Sequence, residues 1–282
     1  MSELVSVFLP TRNRAALLVR CIDSVLAQTH RNLELIIVDD ASNDSTAETL
    51  DRYARADSRV RVISQESPRG APAARNLALH AARGTYATGI DDDDVMLPGR
   101  IAALVAEFDP AFSLVCSGFV RATKARRLTL AASRRLIDLD AQLMRNHVGN
   151  AALSLTSRFL EVGAFDETMP AWQDYDLWTR MIARFGPALR VAEASHIVHE
   201  DHDSPRISTN TLQGAARFRD KHRALMTDRH LRSQRLEYFM LGGERMSWAD
   251  FRQLGRPGMR ARALRYFVTS NFPGLRAIRR DF

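Results

Sequence analysis

The sequence predicts an α/β fold in which a mostly parallel sheet is flanked by helices. Short apolar runs recur at Leu4–Leu9, Leu33–Val38, Val60–Ile63 and Tyr86–Ile90. Segments of helical period separate them, and two runs end abruptly in acidic clusters. Continuous apolar strands alternating with amphipathic helices imply a parallel sheet covered on both faces. Loops at the carboxyl ends of such strands are where ligands bind.

Each element has a local reason. Pro10 stops the first run, and Leu17, Leu18, Cys21, Ile22, Val25 and Leu26 then repeat at helical spacing. After the second run come Asp39 and Asp40, with Ser45 and Thr46 as candidate caps for a helix through Tyr53. Ala71 to Ala82 reads as a small-residue helix, and the fourth strand runs into Asp91–Asp94. Beyond Phe112 a strand is expected over Leu114–Val120, then a basic, loosely patterned stretch over 124–135. Helices are expected over Asp174–Phe185 and Arg217–Met240. The predicted division is a domain over 1–215 and a helical, basic C-terminal extension over 216–282.

Composition narrows the class. With 282 residues, 45% hydrophobic and 26% charged, the chain reads as an ordinary soluble globular protein. Two cysteines, Cys21 and Cys116, form no ligand-like cluster, which suits a reducing compartment. No signal peptide and no run of spanning length is visible. The net charge of +7 is uneven: residues 255–282 hold seven arginines and one aspartate, +6, leaving +1 for the rest. That distribution argues against a nucleic-acid surface. Its basic and apolar mixture instead suits peripheral contact with an anionic membrane face, or a solvated helix packed on the domain.

Four adjacent carboxylates at 91–94 repel one another, so gathering them at a strand end calls for a reason. A divalent cation such as Mg²⁺ or Mn²⁺, completed by phosphate oxygens, supplies one. The alternative is a solvated acidic turn in which Asp94 caps the next helix. Asp39 and Asp40 can accept hydrogen bonds from a ligand or simply shape a turn. Asp174 opens a helix, where the dipole alone favours an acid, yet a carboxylate facing a pocket can also act as general base. His196, His199 and His202 lie among acids without an HExxH pattern, so one histidine completing a carboxylate site fits better than a zinc centre. Neither GxGxxG, GxxxxGK[ST] nor G-x-S-x-G occurs.

Taken in order, the motifs resemble family 2 glycosyltransferases. They are Val5-Ser-Val-Phe-Leu-Pro-Thr-Arg-Asn13, Cys21-Ile-Asp-Ser-Val-Leu-Ala-Gln-Thr29, Ile37-Val-Asp-Asp-Ala-Ser42, Ala74-Arg-Asn-Leu-Ala78, Ile90-Asp-Asp-Asp-Asp94 and Gln173-Asp-Tyr-Asp-Leu-Trp178. The resemblance covers roughly 3–205 and implies a GT-A fold, a nucleotide-sugar donor, Mn²⁺ or Mg²⁺, and inversion at the anomeric carbon. By position, Pro10, Thr11 and Asn13 would line the nucleotide pocket. Asp40 would meet the base with Asp39 beside it, and Arg75 would lie near the diphosphate. Asp91 and Asp93 match the DxD signature, Asp93 as direct metal ligand, and Asp92 would reach ribose or sugar. Asp174 matches the general base, and His199 or His202 the late metal-contacting histidine. Gln173 stands where the family often has Glu, and Arg12 where an aromatic is commoner.

The resulting expectation is an inverting, metal-dependent glycosyltransferase, UDP-sugar favoured, extending a glycan or lipid-linked acceptor in surface polysaccharide or lipopolysaccharide synthesis. Its expected place is the cytoplasm, at the inner face of the membrane. The competing expectations are a nucleotidyltransferase making nucleotide sugars and a non-catalytic nucleotide-sugar or glycan binder.

Overall fold

A computed structural model describes residues 2–200 and 210–272. The first half alternates strand and helix: β1 (Val5–Thr11), α1 (Ala15–Leu26), β2 (Leu33–Asp39), α2 (Thr46–Ala56), β3 (Val60–Ser64), α3 (Ala71–Ala81) and β4 (Tyr86–Gly89). Next come β5 (Val95–Met96), α4 (Arg100–Ala106), β6 (Val115–Ala122), β7 (Arg127–Leu130), β8 (Arg135–Ile137) and α5 (Leu139–Met144). β9 (Ala152–Leu155), α6 (Thr156–Glu161), α7 (Gln173–Phe185) and β10 (Ala188–His199) complete this part. Four helices follow: α8 (Thr211–Lys221), α9 (Asp228–Gly242), α10 (Trp248–Leu254) and α11 (Arg260–Asn271).

The chain divides into two compact units. The first comprises Met1–Leu139, His147–Thr168 and Gln173–Pro205 and contains the whole sheet. Strand order is β3-β2-β1-β4-β9-β6-β10-β5, with β7 beside β6 and β8 beside β10. Pairing is parallel from β3 through β4 and again between β6 and β10, while β9 runs antiparallel between these blocks. Every residue of β1 and β2 is buried, which is why both read as uninterrupted apolar runs. Helix α1 buries Leu18, Cys21, Ile22 and Val25 on the same core, one stripe of a 3.6-residue period.

The parallel block positions the site. Thr11 is in register with Asp39, and Asp39 with Ser64, so β1, β2 and β3 end on one sheet edge. Asp40 N–H donates to Thr11 O at 2.9 Å and Gln65 N–H to Asp39 O at 2.9 Å, extending the ladder into the loops. Ile90 N–H reaches Phe8 O at 3.1 Å, bringing the acidic turn to the same edge.

The second unit comprises Asp140–Asn146, Met169–Trp172 and Arg206–Phe282. Thr227 caps α9, and the His230 ring answers the Thr227 backbone N–H at 3.0 Å. Leu236, Met246, Phe251, Leu254, Ala263 and Tyr266 form its core under α9, α10 and α11. Among the described residues no helix is long and apolar enough to cross a membrane.

Several local expectations change. The 124–135 stretch carries β7, whose Leu128 and Leu130 alternate with exposed Arg127 and Thr129 against β6. The helix expected over 217–240 is two, α8 and α9, parted by a single 3-10 turn at Arg223–Leu225. At α2 the side chain meeting the first turn is Asp44, which accepts from Thr46 N–H at 2.9 Å; Ser45 makes no side-chain cap. Asp94 caps no helix: α4 begins six residues later, behind Gly99.

Candidate active site

The four aspartates emerge from one turn into four environments. Asp94 N–H closes the turn on Asp91 O at 3.0 Å. Helix α1 holds its backbone: Arg20 Nη2 donates to Asp93 O at 2.7 Å, the Cys21 thiol to Asp91 O at 3.3 Å, and Ser24 Oγ accepts Met96 N–H at 3.1 Å. The turn is therefore fixed through its carbonyls, and its carboxylates are left to other partners.

Asp91 pairs with Arg75 of α3, Nη2 to Oδ1 at 2.7 Å. The Arg75 guanidinium also lies over the Phe165 ring, 5.3 Å from its centroid. Burial disfavours this cation, but Asp174 and Asp91 outweigh that and hold its pKa above the usual value. Asp92 is 3% exposed and accepts from Thr11 Oγ1 at 2.8 Å. Burial, and less strongly the neighbouring Asp93 and Asp91, push its pKa up to about 7 against the pull of the Thr11 hydroxyl and Arg14. Asp93 is half-buried.

Asp174 sits in the first turn of α7. Its Oδ1 is out of reach of solvent and has no hydrogen-bond partner. Burial raises its pKa to about 7, with Arg75 opposing and Asp91 adding to the shift. Asp174, Arg75 and Asp91 thus form one electrostatic unit beside the acidic turn.

The nucleotide-pocket candidates meet at the sheet edge. Asn13 has a left-handed backbone, φ 53°, which asparagine tolerates better than most residues. Its N–H donates to Ser42 Oγ at 2.9 Å and its Oδ1 accepts Asn43 N–H at 2.8 Å, locking the loops after β1 and β2 together. Pro10 and Thr11 are the last residues of β1. Asp39 accepts Ser42 N–H at 3.0 Å and the Ser42 hydroxyl, the turn role weighed from sequence. Asp40 does more: Oδ1 accepts Gln65 Nε2 at 2.8 Å and Arg69 N–H at 2.7 Å, and Oδ2 accepts Gly70 N–H at 2.9 Å. It thereby ties the 65–70 loop to the site, where Gly70 takes φ 88° just before α3.

His199 is buried at the end of β10, and its N–H donates to Asp94 Oδ1 at 3.1 Å. His202 lies outside the described residues. Among the described residues, no group of three or more His, Cys, Asp and Glu side chains is arranged to hold a metal ion by itself. The donor chemistry at the turn nevertheless suits a hard cation. Asp91 and Asp93 offer hard carboxylate oxygens of the kind such a cation prefers. Two carboxylates leave most of a six-fold shell to water or phosphate oxygens.

Sequence reasoning missed Arg20, Gln65, Arg100 and Asn150 among the residues that hold the others; Cys21 stood only in a helical repeat and a motif, and His196 only as one of three candidate histidines. None of the four carries a local signal. The partners of Asp94, for example, lie 56 and 102 positions away.

The mostly parallel sheet thus carries an acidic turn, an arginine-paired aspartate and a buried carboxylate at one edge. The family model for glycosyl transferase family 2 matches residues 6–164. WcaA of Escherichia coli (strain K12), provisionally named a colanic acid biosynthesis glycosyl transferase, is 35% identical over 262 residues, 88% of this chain and 91% of WcaA. TuaG of Bacillus subtilis (strain 168), provisionally named for teichuronic acid biosynthesis, is 43% identical over 91 residues, 32% of this chain and 36% of TuaG. Among solved structures, residues 1–349 of S. aureus TarS with UDP-GlcNAc align with a TM-score of 0.65 at 15% identity, covering 94% of this chain and 81% of that one. That likeness shows the GT-A fold. The chain belongs to glycosyl transferase family 2.

Proposed function

We propose that the chain transfers a sugar from a nucleotide-sugar donor, a UDP-sugar by preference, to a hydroxyl of a glycan or lipid-linked acceptor, inverting the anomeric carbon. The observation that carries this reading is Asp174 Oδ1: buried, without a donor, and electrostatically joined to Arg75 and Asp91. A buried acceptor atom with no partner is costly, and an incoming hydroxyl removes that cost by donating to it. As the acceptor oxygen bonds to the anomeric carbon, the bond from that carbon to the diphosphate oxygen breaks, and the hydroxyl proton passes to Asp174. A single displacement inverts the centre and needs no covalent sugar–enzyme intermediate.

The remaining residues bind and orient. Pro10, Thr11, Asn13 and Asp39 border the nucleotide, and Asp40 meets the base while fixing the 65–70 loop. Arg75 faces the diphosphate while holding Asp91, and Asp92 lies toward ribose or sugar. Asp93 and Asp91, with His199 and His202 as the candidate histidines, would hold Mn²⁺ or Mg²⁺, which when bound neutralises charge on the leaving diphosphate. The TarS complex with UDP-GlcNAc, and a Pyrobaculum calidifontis mannosyltransferase with GDP-Man and Mn²⁺ at TM-score 0.57 and 19% identity, support such a donor and cation. The names of WcaA and TuaG support a surface polysaccharide as product. Family membership favours sugar transfer over nucleotidyl transfer. We take 216–282 as an extension to the catalytic domain. Its basic residues, beside Trp248 (60% exposed) and Leu264 (46% exposed), would touch the inner membrane face.

Calorimetric titration with UDP, GDP, CMP and dTDP, each with and without Mn²⁺, tests the reading. Metal-enhanced binding of one nucleotide is expected, followed by transfer from its sugar conjugate. Folded protein that binds none of them, or binds one and neither transfers nor hydrolyses, overturns it in favour of a non-catalytic homologue.

A further inference from the structure

We propose that Asp94, Asn150, Arg100 and His196 form a buried polar ring that positions the acidic turn against the end of β10, and that Asp94 is a positioning residue, not a cation ligand. The proposal rests on the transfer reading above for its consequence, but its geometry stands alone.

Asp94 is 2% exposed and both its oxygens are filled from within the chain. Oδ2 meets His196 Nε2 at 2.8 Å and Asn150 Nδ2 at 3.1 Å, while Oδ1 accepts His199 N–H at 3.1 Å. Arg100 is 1% exposed and, among the described residues, has no carboxylate in ion-pair contact; its guanidinium donates to Ser117 Oγ at 2.5 Å, Ser195 Oγ at 3.4 Å and Ala151 O at 3.3 Å. These contacts close a circuit. Asp94 binds Asn150, whose neighbour Ala151 binds Arg100; Arg100 binds Ser195, whose neighbour His196 returns to Asp94.

The circuit pins the 94–100 segment along β10. Met96 and Val95 are in register with His196 and Ile197, and Leu97 N–H donates to Ser195 O at 2.9 Å. Replacing such a network with apolar side chains would pack as well but leave the strands freer to slide, whereas hydrogen-bonded buried polar groups specify one arrangement, here with Arg100 Nε left without a partner. Here the arrangement matters because Asp91 and Asp93 leave the turn at one end and His199 leaves β10 at the other. Asp94 joins the two directly, so candidate ligands more than 100 positions apart move as one body.

Three variants test this: Asp94→Asn, His196→Ala and the conservative His196→Gln, which keeps an N–H donor. Amide exchange in the unliganded protein is read first. A positioning ring requires Asp94→Asn and His196→Ala to raise exchange at 91–94 and at 199 together, with His196→Gln close to the parent protein. Uptake confined to one of the two segments overturns the ring. Mn²⁺-dependent UDP binding is read second. Outer partners of metal ligands typically change metal affinity by about 10–100-fold. Asp94→Asn should therefore need at least about tenfold more Mn²⁺ for half-maximal UDP binding, and excess Mn²⁺ should restore it. An unchanged Mn²⁺ requirement, or a loss that excess Mn²⁺ cannot restore, overturns the positioning role. Should Asp94→Asn not fold, Asn150→Ala removes a single donor and is read the same way. A parent protein that binds no nucleotide sinks the transfer reading, while the exchange arm still decides the ring.

Discussion

Removing Arg75 should move the pH dependence of transfer without abolishing it. Asp174 is the group whose protonation would show, since its pKa is raised to about 7 by burial while Arg75 pulls it down. At pH 7 about half the molecules then carry the ionised base. Arg75 pulls the Asp174 pKa down electrostatically, so Arg75→Gln should raise it. A one-unit rise leaves about one molecule in eleven ionised at pH 7, and a two-unit rise about one in a hundred. The rate at pH 7 should fall about fivefold to fiftyfold from ionisation alone and recover as the pH reaches about 9.

The assay is kcat/KM with the nucleotide-sugar donor from pH 6 to 9.5, for the parent, Arg75→Gln and Asp174→Asn. Loss of a direct contact between Arg75 and the diphosphate would lower all points alike, so the displacement of the rising limb isolates the effect on the base. Asp174→Asn should lower kcat about 10²–10⁴-fold and flatten the limb, while donor binding survives. An Arg75→Gln profile parallel to the parent's would refute the reasoning. So would a rising limb that persists in Asp174→Asn.

Asp92 yields a stability prediction of the opposite kind. Its folded pKa of about 7 exceeds the ordinary carboxylate value, so the folded state keeps this proton longer and unliganded stability falls as pH rises from about 4 to about 7. Asp92→Asn should flatten that decline in urea denaturation; an unchanged slope would assign the loss elsewhere. Asp40→Ala removes one charged acceptor from two backbone N–H groups and Gln65. It should cost about 2–4 kcal/mol in urea denaturation and expose the 65–70 loop to proteolysis, and a variant as resistant as the parent would contradict the anchoring role. Anionic vesicles should float the full chain and lose it when Trp248 and Leu264 are both changed to Ser. Flotation that survives those changes would remove α10 and α11 from the membrane contact.

Legibility from sequence followed the range of the interactions. β1 and β2 were readable because burial on both faces leaves a run of seven wholly buried residues in each. β7 was not, because a strand half-exposed at a sheet margin can alternate arginine and threonine with leucine and look like a basic loop. The break between α8 and α9 was equally hidden, since both flanks are polar and the Thr227–His230 box lies inside a continuous helical pattern. In the site, Asp174 and Asp91 stood out by motif, but the letters 91–94 are identical. Only the fold sorts them: Asp91 onto Arg75, Asp92 onto Thr11, Asp94 onto His196 and Asn150.

That sorting also bears on how acids and the proposed diphosphate would share one sheet edge. Asp94 is withdrawn into the ring, where His196, Asn150 and the His199 N–H fill its oxygens. Arg75 acts on Asp91, Asp92 and Asp174, and Arg14 on Asp92. Burial raises the pKa of both Asp92 and Asp174 to about 7, so near neutral pH the unliganded protein can hold a proton on either. A diphosphate adds further negative charge to the same edge, which Coulomb repulsion alone would turn away. If a nucleoside diphosphate binds there, as proposed, a divalent cation entering with it would offset that repulsion. The cation would also draw the Asp92 pKa back down, so nucleotide binding with Mn²⁺ should release protons. Calorimetry in two buffers of different ionisation enthalpy reads that release directly; heats that match in both buffers would mean the acidic turn does not change its protonation when the donor site fills.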